Sequence, residues 1–283
     1  MGVLTTKKKT PVRKRYSFIC LAVLLGPGIA LAQAPESELL NAKFFFRIGG
    51  QAFTRFRTTV RIDSPTLGQG TEFTLEDATN LEETINIGRL DGLYRFTNRH
   101  SMAFSYYDID RTGSRTIDRD ITWDGETFPI NATVESLFRQ RVVKLSYAYT
   151  FLIRPKGVMA ASVGLHAMKF DTGLRALNGS REKNNSTEAP LPVIGIRGQY
   201  RFGDKWRFVG SVEWLDVDVG DYSGTFSDTL LTVEHDTWDR FGLGFGINSF
   251  GLDIRSSDTD LRGNIDISFD SFVVYFRGNF GGN

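Results

Sequence analysis

From about Phe44 to Phe280 the chain sets apolar and aromatic side chains on one parity and polar or charged ones on the other. The last run shows it compactly: Phe272, Val274, Phe276, Gly278 and Phe280 alternate with Ser271, Val273, Tyr275, Arg277 and Asn279. Side chains alternate faces along a strand, so each such ribbon carries its hydrocarbon on one side. With turn signals between the runs, the pattern predicts about ten strands, within a range of eight to twelve.

The first strand runs from about Phe44 to Ile62, with Phe44, Phe46, Ile48, Ala52 and Phe56 on one face and Arg47, Gln51, Arg55 and Arg57 on the other. Later strands place Arg89, Asp91, Lys144, Arg197, Glu213, Glu234 and Arg277 on the polar parity. His166 shares that face with Ser162 and Met168. The predicted connections alternate between four tight turns and five long polar links near 63–83, 111–133, 172–190, 219–227 and 255–264. Many aromatics, among them Phe44, Tyr94, Phe96, Tyr149, Phe202, Trp206 and Phe280, fall within a few residues of a tight turn or a chain end. Rings held at one depth mark a membrane interface rather than a soluble sandwich.

The N-terminus changes the picture of charge. Six basic residues between Lys7 and Arg15 precede the apolar stretch Tyr16 to Ala32, which ends in Ala30-Leu31-Ala32, the arrangement of a secretory signal peptide cleaved after Ala32. Its removal leaves 28 of the 34 Lys and Arg against 33 Asp and Glu, a net charge of −5. An acidic mature chain argues against nucleic acid as a partner. The single cysteine, Cys20, leaves with the peptide, so no disulfide, thiol nucleophile or Cys-ligated metal is expected. No later stretch reaches the eighteen or so apolar residues of a transmembrane helix, so a membrane-bound mature chain is expected to cross as a barrel.

One-sided strands, short and long ends and turn-side aromatics together resemble the Gram-negative outer-membrane β-barrel proteins of the small, eight- to twelve-stranded type. The resemblance implies an all-β, transmembrane, antiparallel up-and-down barrel spanning 43–283, a short periplasmic segment 33–42 and a cleaved signal peptide 1–32. It implies an outer-membrane location in contact with lipid and lipopolysaccharide, with short turns facing the periplasm. It also implies handling by the barrel assembly machinery, for which Tyr275, Phe276 and Phe280 are similar to the C-terminal signal, here followed by Gly281-Gly282-Asn283. Members of that family include channels, structural barrels, proteases and lipid-modifying enzymes, so no reaction follows from it.

Candidate chemistry is sparse. Of three histidines, His100 and His235 sit at tight turns. His166 reads as a lumenal hydrogen-bonding residue or, in an enzyme, as a proton-transfer base. Asp108-Ile-Asp110 opens like a calcium loop, but Arg119 stands where the bidentate Glu belongs, and the stretch reads as a solvated hairpin. Glu82-Glu83 and Asp118-x-Asp120 read as acidic loop surface. No cofactor, metal or catalytic residue is expected. The lumen network is the best candidate site: Arg47, Arg55, Arg89, Asp91, Lys144, Arg197, Glu213, Glu234 and Arg277. Charges in a narrow interior are either paired, closing the barrel, or hydrated, leaving a charge-lined path for ions or solutes. The expected function is a non-enzymatic outer-membrane barrel, structural or porin-like. The alternatives are a hydrolase of lipid or peptide at the outer rim and a soluble periplasmic carrier.

Overall fold

The computed structural model describes residues 37–63, 68, 70–82, 85–177, 179, 181–257 and 262–281. The expected signal peptide 1–32 with Cys20, residues 258–261 of the long link near 255–264, and Glu83, Gly282 and Asn283 lie outside them. After a 3-10 turn at Glu38–Leu40 come β1 (Phe44–Ile62), β2 (Phe73–Thr74), α1 (Leu75–Thr79), β3 (Asn86–Arg95), β4 (His100–Thr116), β5 (Ile121–Trp123) and β6 (Glu126–Phe128). Then follow β7 (Thr133–Arg154), β8 (Gly157–Ala176), β9 (Glu182–Arg201), β10 (Trp206–Val219), β11 (Tyr222–His235), β12 (Phe241–Ser257) and β13 (Arg262–Phe280).

Ten of these strands form the barrel in chain order, β1, β3, β4 and then β7 to β13, each antiparallel to the next. β13 closes on β1 from Phe44 opposite Phe280 to Ile62 opposite Gly263. Closure leaves no free sheet edge for another chain to add to. The short β5–β6 hairpin stands apart as a two-stranded sheet.

The half of the barrel nearest the short turns is apolar outside. Ile48, Leu90, Phe104, Leu145, Val163, Ile194, Phe245 and Val274 are all exposed there, on eight different strands. On β13 this band runs from Phe272 to Phe280, roughly 20 Å at about 3.4 Å per residue and a tilt near 40°, close to the apolar height of a bilayer-spanning barrel.

Above the band the alternation does not stop. It inverts. β7 is apolar outward at Val143, Leu145 and Tyr147 but apolar inward at Val134, Phe138 and Val142. β12 turns from outward Leu243, Phe245 and Ile247 to inward Phe250 and Leu252, and β13 from outward Phe272 and Val274 to inward Ile267 and Phe269. Outward positions there are polar, as with Asp108 and Asp110 on β4 or Asp270 on β13. Most strands make the change without a break, because apolar residues move from one parity to the other.

β1 makes it with an irregularity. Its register against β13 shifts between Phe53 and Arg55, so that Phe53 and Phe56 both end inside. The one-residue offset turns Arg55 and Arg57 outward, the opposite of what unbroken alternation assigns them. Arg55 is therefore not a lumen residue: it is exposed and paired with Asp270 on the outer wall.

The expected long links also shrink. Strand pairing fills much of 172–190 and 219–227, where β8 and β9 pair up to Arg175 opposite Glu182, and β10 and β11 up to Val219 opposite Tyr222. The stretch from Asp108 to Gly113 is a strand rather than a hairpin, with Arg139 donating to Asp110 across β4 and β7. Polar residues on the outward face read as loop in the sequence, although their backbones are fully paired.

The link between β1 and β3 folds into the barrel as a plug. Phe73, Leu75 and Leu81 are buried together with Ile121, Trp123 and Phe128 of the β5–β6 hairpin. α1 is pinned by Glu76, whose Oε1 accepts from Arg111 Nη2 at 2.5 Å and whose Oε2 accepts from the Thr58 backbone at 2.8 Å. Arg111 Nη1 donates to Thr58 Oγ1 at 3.0 Å, and its guanidinium lies 3.9 Å from the centre of the Phe56 ring. Both charged side chains are essentially inaccessible, at 0% and 1% exposure.

Arg111→Met leaves the Glu76 carboxylate buried without its cation and is expected to cost about 3–5 kcal/mol. The Glu76→Gln/Arg111→Met pair is expected to cost less than Arg111→Met alone, with both read from urea unfolding in liposomes. A Cβ on Gly244 would fall 2.3 Å from the Tyr275 ring. Gly244→Val is accordingly expected to lower the unfolding free energy by about 1–3 kcal/mol in the same assay through overpacking.

Candidate functional site in the barrel interior

Three layers fill the interior, and the residues expected in the lumen occupy the lower two. Nearest the short turns, Glu234 on β11 is the hub. Its Oε1 accepts from Arg47 Nη2 at 2.9 Å, from Arg47 Nε at 3.1 Å and from the Tyr275 hydroxyl at 2.7 Å. Its Oε2 lies 3.1 Å from Arg277 Nε and 3.6 Å from Arg207 Nε. Arg207 Nη2 donates to Asp236 Oδ1 at 2.5 Å, and Arg277 donates to the same oxygen. Room for the large side chains of β13 comes from the inward glycines of β12, Gly242 beside Arg277 and Gly244 beside Tyr275.

The middle layer joins all ten strands of the barrel. Lys144 pairs with Asp228 and lies 3.7 Å from Glu213 Oε2. Glu213 also faces His166 Nε2 at 3.2 Å and Arg197 Nη2 at 3.3 Å. Asp228 Oδ1 accepts from Asn248 at 2.5 Å, and Gln51 donates to Asn248 at 3.0 Å and to Ser271 at 2.7 Å. Arg89 donates to Asp91 at 3.1 Å, and Ser105 donates to Asp91 at 2.5 Å. Each charge here has an opposite charge within reach, which offsets the desolvation that isolated charges would incur.

The upper layer is aromatic. Ring contacts run from Phe138 to Phe56 at 6.0 Å, to Phe269 at 5.1 Å, to Phe250 at 4.5 Å and to Phe226 at 5.5 Å between centroids. Phe226 then meets the His166 ring edge-on at 5.2 Å. These residues belong to β7, β1, β13, β12, β11 and β8, so the contacts cross the lumen and return to the neighbour of the starting strand. The plug sits on this layer, within one continuous buried cluster.

Of the nine charged residues expected in the lumen, eight are there, and Arg55 is the exception. The structure adds Arg207, which shares the inward parity of Glu213 on the seventh expected strand, and Arg111 and Asp228, which fall in or beside expected long links. His166 is fully buried between the polar and aromatic layers. Of the three residues similar to an assembly signal, Phe276 and Phe280 face outward, whereas Tyr275 is an interior residue bonded to Thr232 and Glu234. Among the described residues no group of three or more His, Cys, Asp or Glu is placed to hold a metal ion.

Below the Glu234 layer the barrel opens on the short-turn side into a cup of about 740 Å³. A smaller space of about 100 Å³ lies among the residues of the middle layer. One wall of the cup is the segment before β1, held by Arg95, which donates to the carbonyls of Leu40 and Ala42.

No protein-family model matches the chain. No curated protein matches it either. Among solved structures it is similar to the outer membrane protease OmpT from Escherichia coli, with a TM-score of 0.55 at 10% identity over 84% of this chain and 96% of that one. The Pseudomonas putida toluene transporter TodX has a TM-score of 0.32 at 8% identity over 84% and 90% of the two chains. The translocator domain of the Neisseria meningitidis autotransporter NalP has a TM-score of 0.32 at 8% identity over 85% and 90%. Together with the closed ten-stranded barrel, the likeness to OmpT gives the chain the fold of an outer-membrane β-barrel.

Proposed function

We propose that the chain is a structural, non-conducting integral barrel of a Gram-negative outer membrane. The short turns and the segment 37–43 face the periplasm in this reading, and the plugged end faces outward. Lipid covers the apolar band, lipopolysaccharide borders the polar outer wall above it, and the barrel assembly machinery inserts the chain. The observation that carries the closed state is the aromatic layer: six interior rings in contact, from Phe138 to His166, beneath a buried plug. An ion crossing that level would leave water for hydrocarbon, and the polar layer below holds its charges in pairs rather than lining a path.

The reading is non-enzymatic. His166 is buried 3.2 Å from Glu213 and against Phe226, away from solvent, and His100 and His235 lie at the short-turn end. That placement gives no support to a rim hydrolase using histidine as its base.

In planar bilayers the purified wild-type barrel is expected to give no discrete single-channel steps. Replacing Phe56, Phe250 and Phe269 together with Ala is expected to introduce them, provided the folded gel mobility is retained. Regular steps from the wild type would contradict the closed reading.

A further inference from the structure

The cup on the short-turn side is cationic out of proportion to the chain. Among the described residues seven basic side chains line it against three acidic ones, in a protein whose full sequence holds 34 basic and 33 acidic residues. Its floor is Arg47, Arg207 and Arg277 around Glu234, and its rim carries Arg201, Lys205 and Arg240.

Pairing inside the cup does not use up this charge. Among the described residues, Glu234 and Asp236 are the carboxylates that the guanidinium groups of Arg47, Arg207 and Arg277 approach. The three guanidinium groups of Arg47, Arg207 and Arg277 offer about fifteen N–H donors, while two carboxylates offer about eight acceptor sites. These three side chains line a hollow of about 740 Å³, a volume in the range of small-molecule sites, about 300–1,000 Å³.

We propose that this cup binds a multiply charged oxyanion, a phosphate or phosphate monoester presented from the short-turn side. The guanidinium fork matches a phosphate face with two parallel hydrogen bonds, and a surplus of positive charge favours a dianion over a singly charged carboxylate. The aromatic layer above gives the anion no onward route, so the cup is a docking site rather than an entrance. This inference does not depend on the absence of conductance.

The test is isothermal titration of the detergent-folded wild-type protein with inorganic phosphate. Saturable binding that weakens as salt rises is expected. Lys205 and Arg240 are exposed turn residues, so Lys205→Gln/Arg240→Gln should keep the folded gel mobility. The double substitution should lower affinity roughly tenfold for each charge-assisted hydrogen bond it removes. No saturable binding by the folded wild type, or equal affinity in the double variant, would overturn the proposal.

Discussion

Everything in this barrel follows from where the surrounding solvent changes. In the half near the short turns the wall faces hydrocarbon, so the outward parity must be apolar and the polar residues are left to the lumen. In the other half the wall faces water, and the same strands place their apolar residues inward, as a soluble barrel does. The inversion falls near one level on many strands: between Tyr106 and Tyr107, Val142 and Val143, Val193 and Ile194, Trp214 and Leu215, and Phe269 and Phe272. β1 reaches the same result by a register shift at Phe53 to Arg55.

That single constraint decides what the interior is. A lumen that is polar below and apolar above is crossed by a boundary, and the boundary is built from His166, Phe226, Phe250, Phe269 and Phe56. Above it, α1 and the β5–β6 hairpin complete an apolar core from which water is excluded. One buried pair, Glu76 with Arg111, fixes the plug in position within that core. Below it, charges taken from water are matched across the barrel, Arg47 to Glu234 and Lys144 to Asp228, so that the polar layer is knit by ion pairs.

The alternation that marks the strands was easy to read because it is strongest where lipid requires it. Strand number, with the turn signals, and the inward placement of Arg47, Lys144, Glu213 and Arg277 followed from it, whereas antiparallel order and closure were what the resemblance to outer-membrane barrels implied. The upper half was harder. Outward Asp108, Asp110 and Asp270 resemble loop residues, and only the inward run of Ile265, Ile267 and Phe269 betrays that the strand continues. Arg55 was misplaced for a local reason, since a single unpaired residue in β1 exchanges the faces of all that follow. The plug was not legible, because Glu76 needs Arg111, thirty-five positions on, to make its burial tolerable.

In the closed state proposed for this barrel, the plugged side and the cationic cup are two faces that do not communicate. The most direct measurement places Gln199→Cys, which lines the cup, in a Cys20→Ala background and applies a bulky membrane-impermeant maleimide. The account predicts modification once the short-turn side is made accessible by permeabilising the outer membrane, and none in intact cells. Equal modification of intact cells would show a route through the plug and the aromatic layer, and would contradict the account.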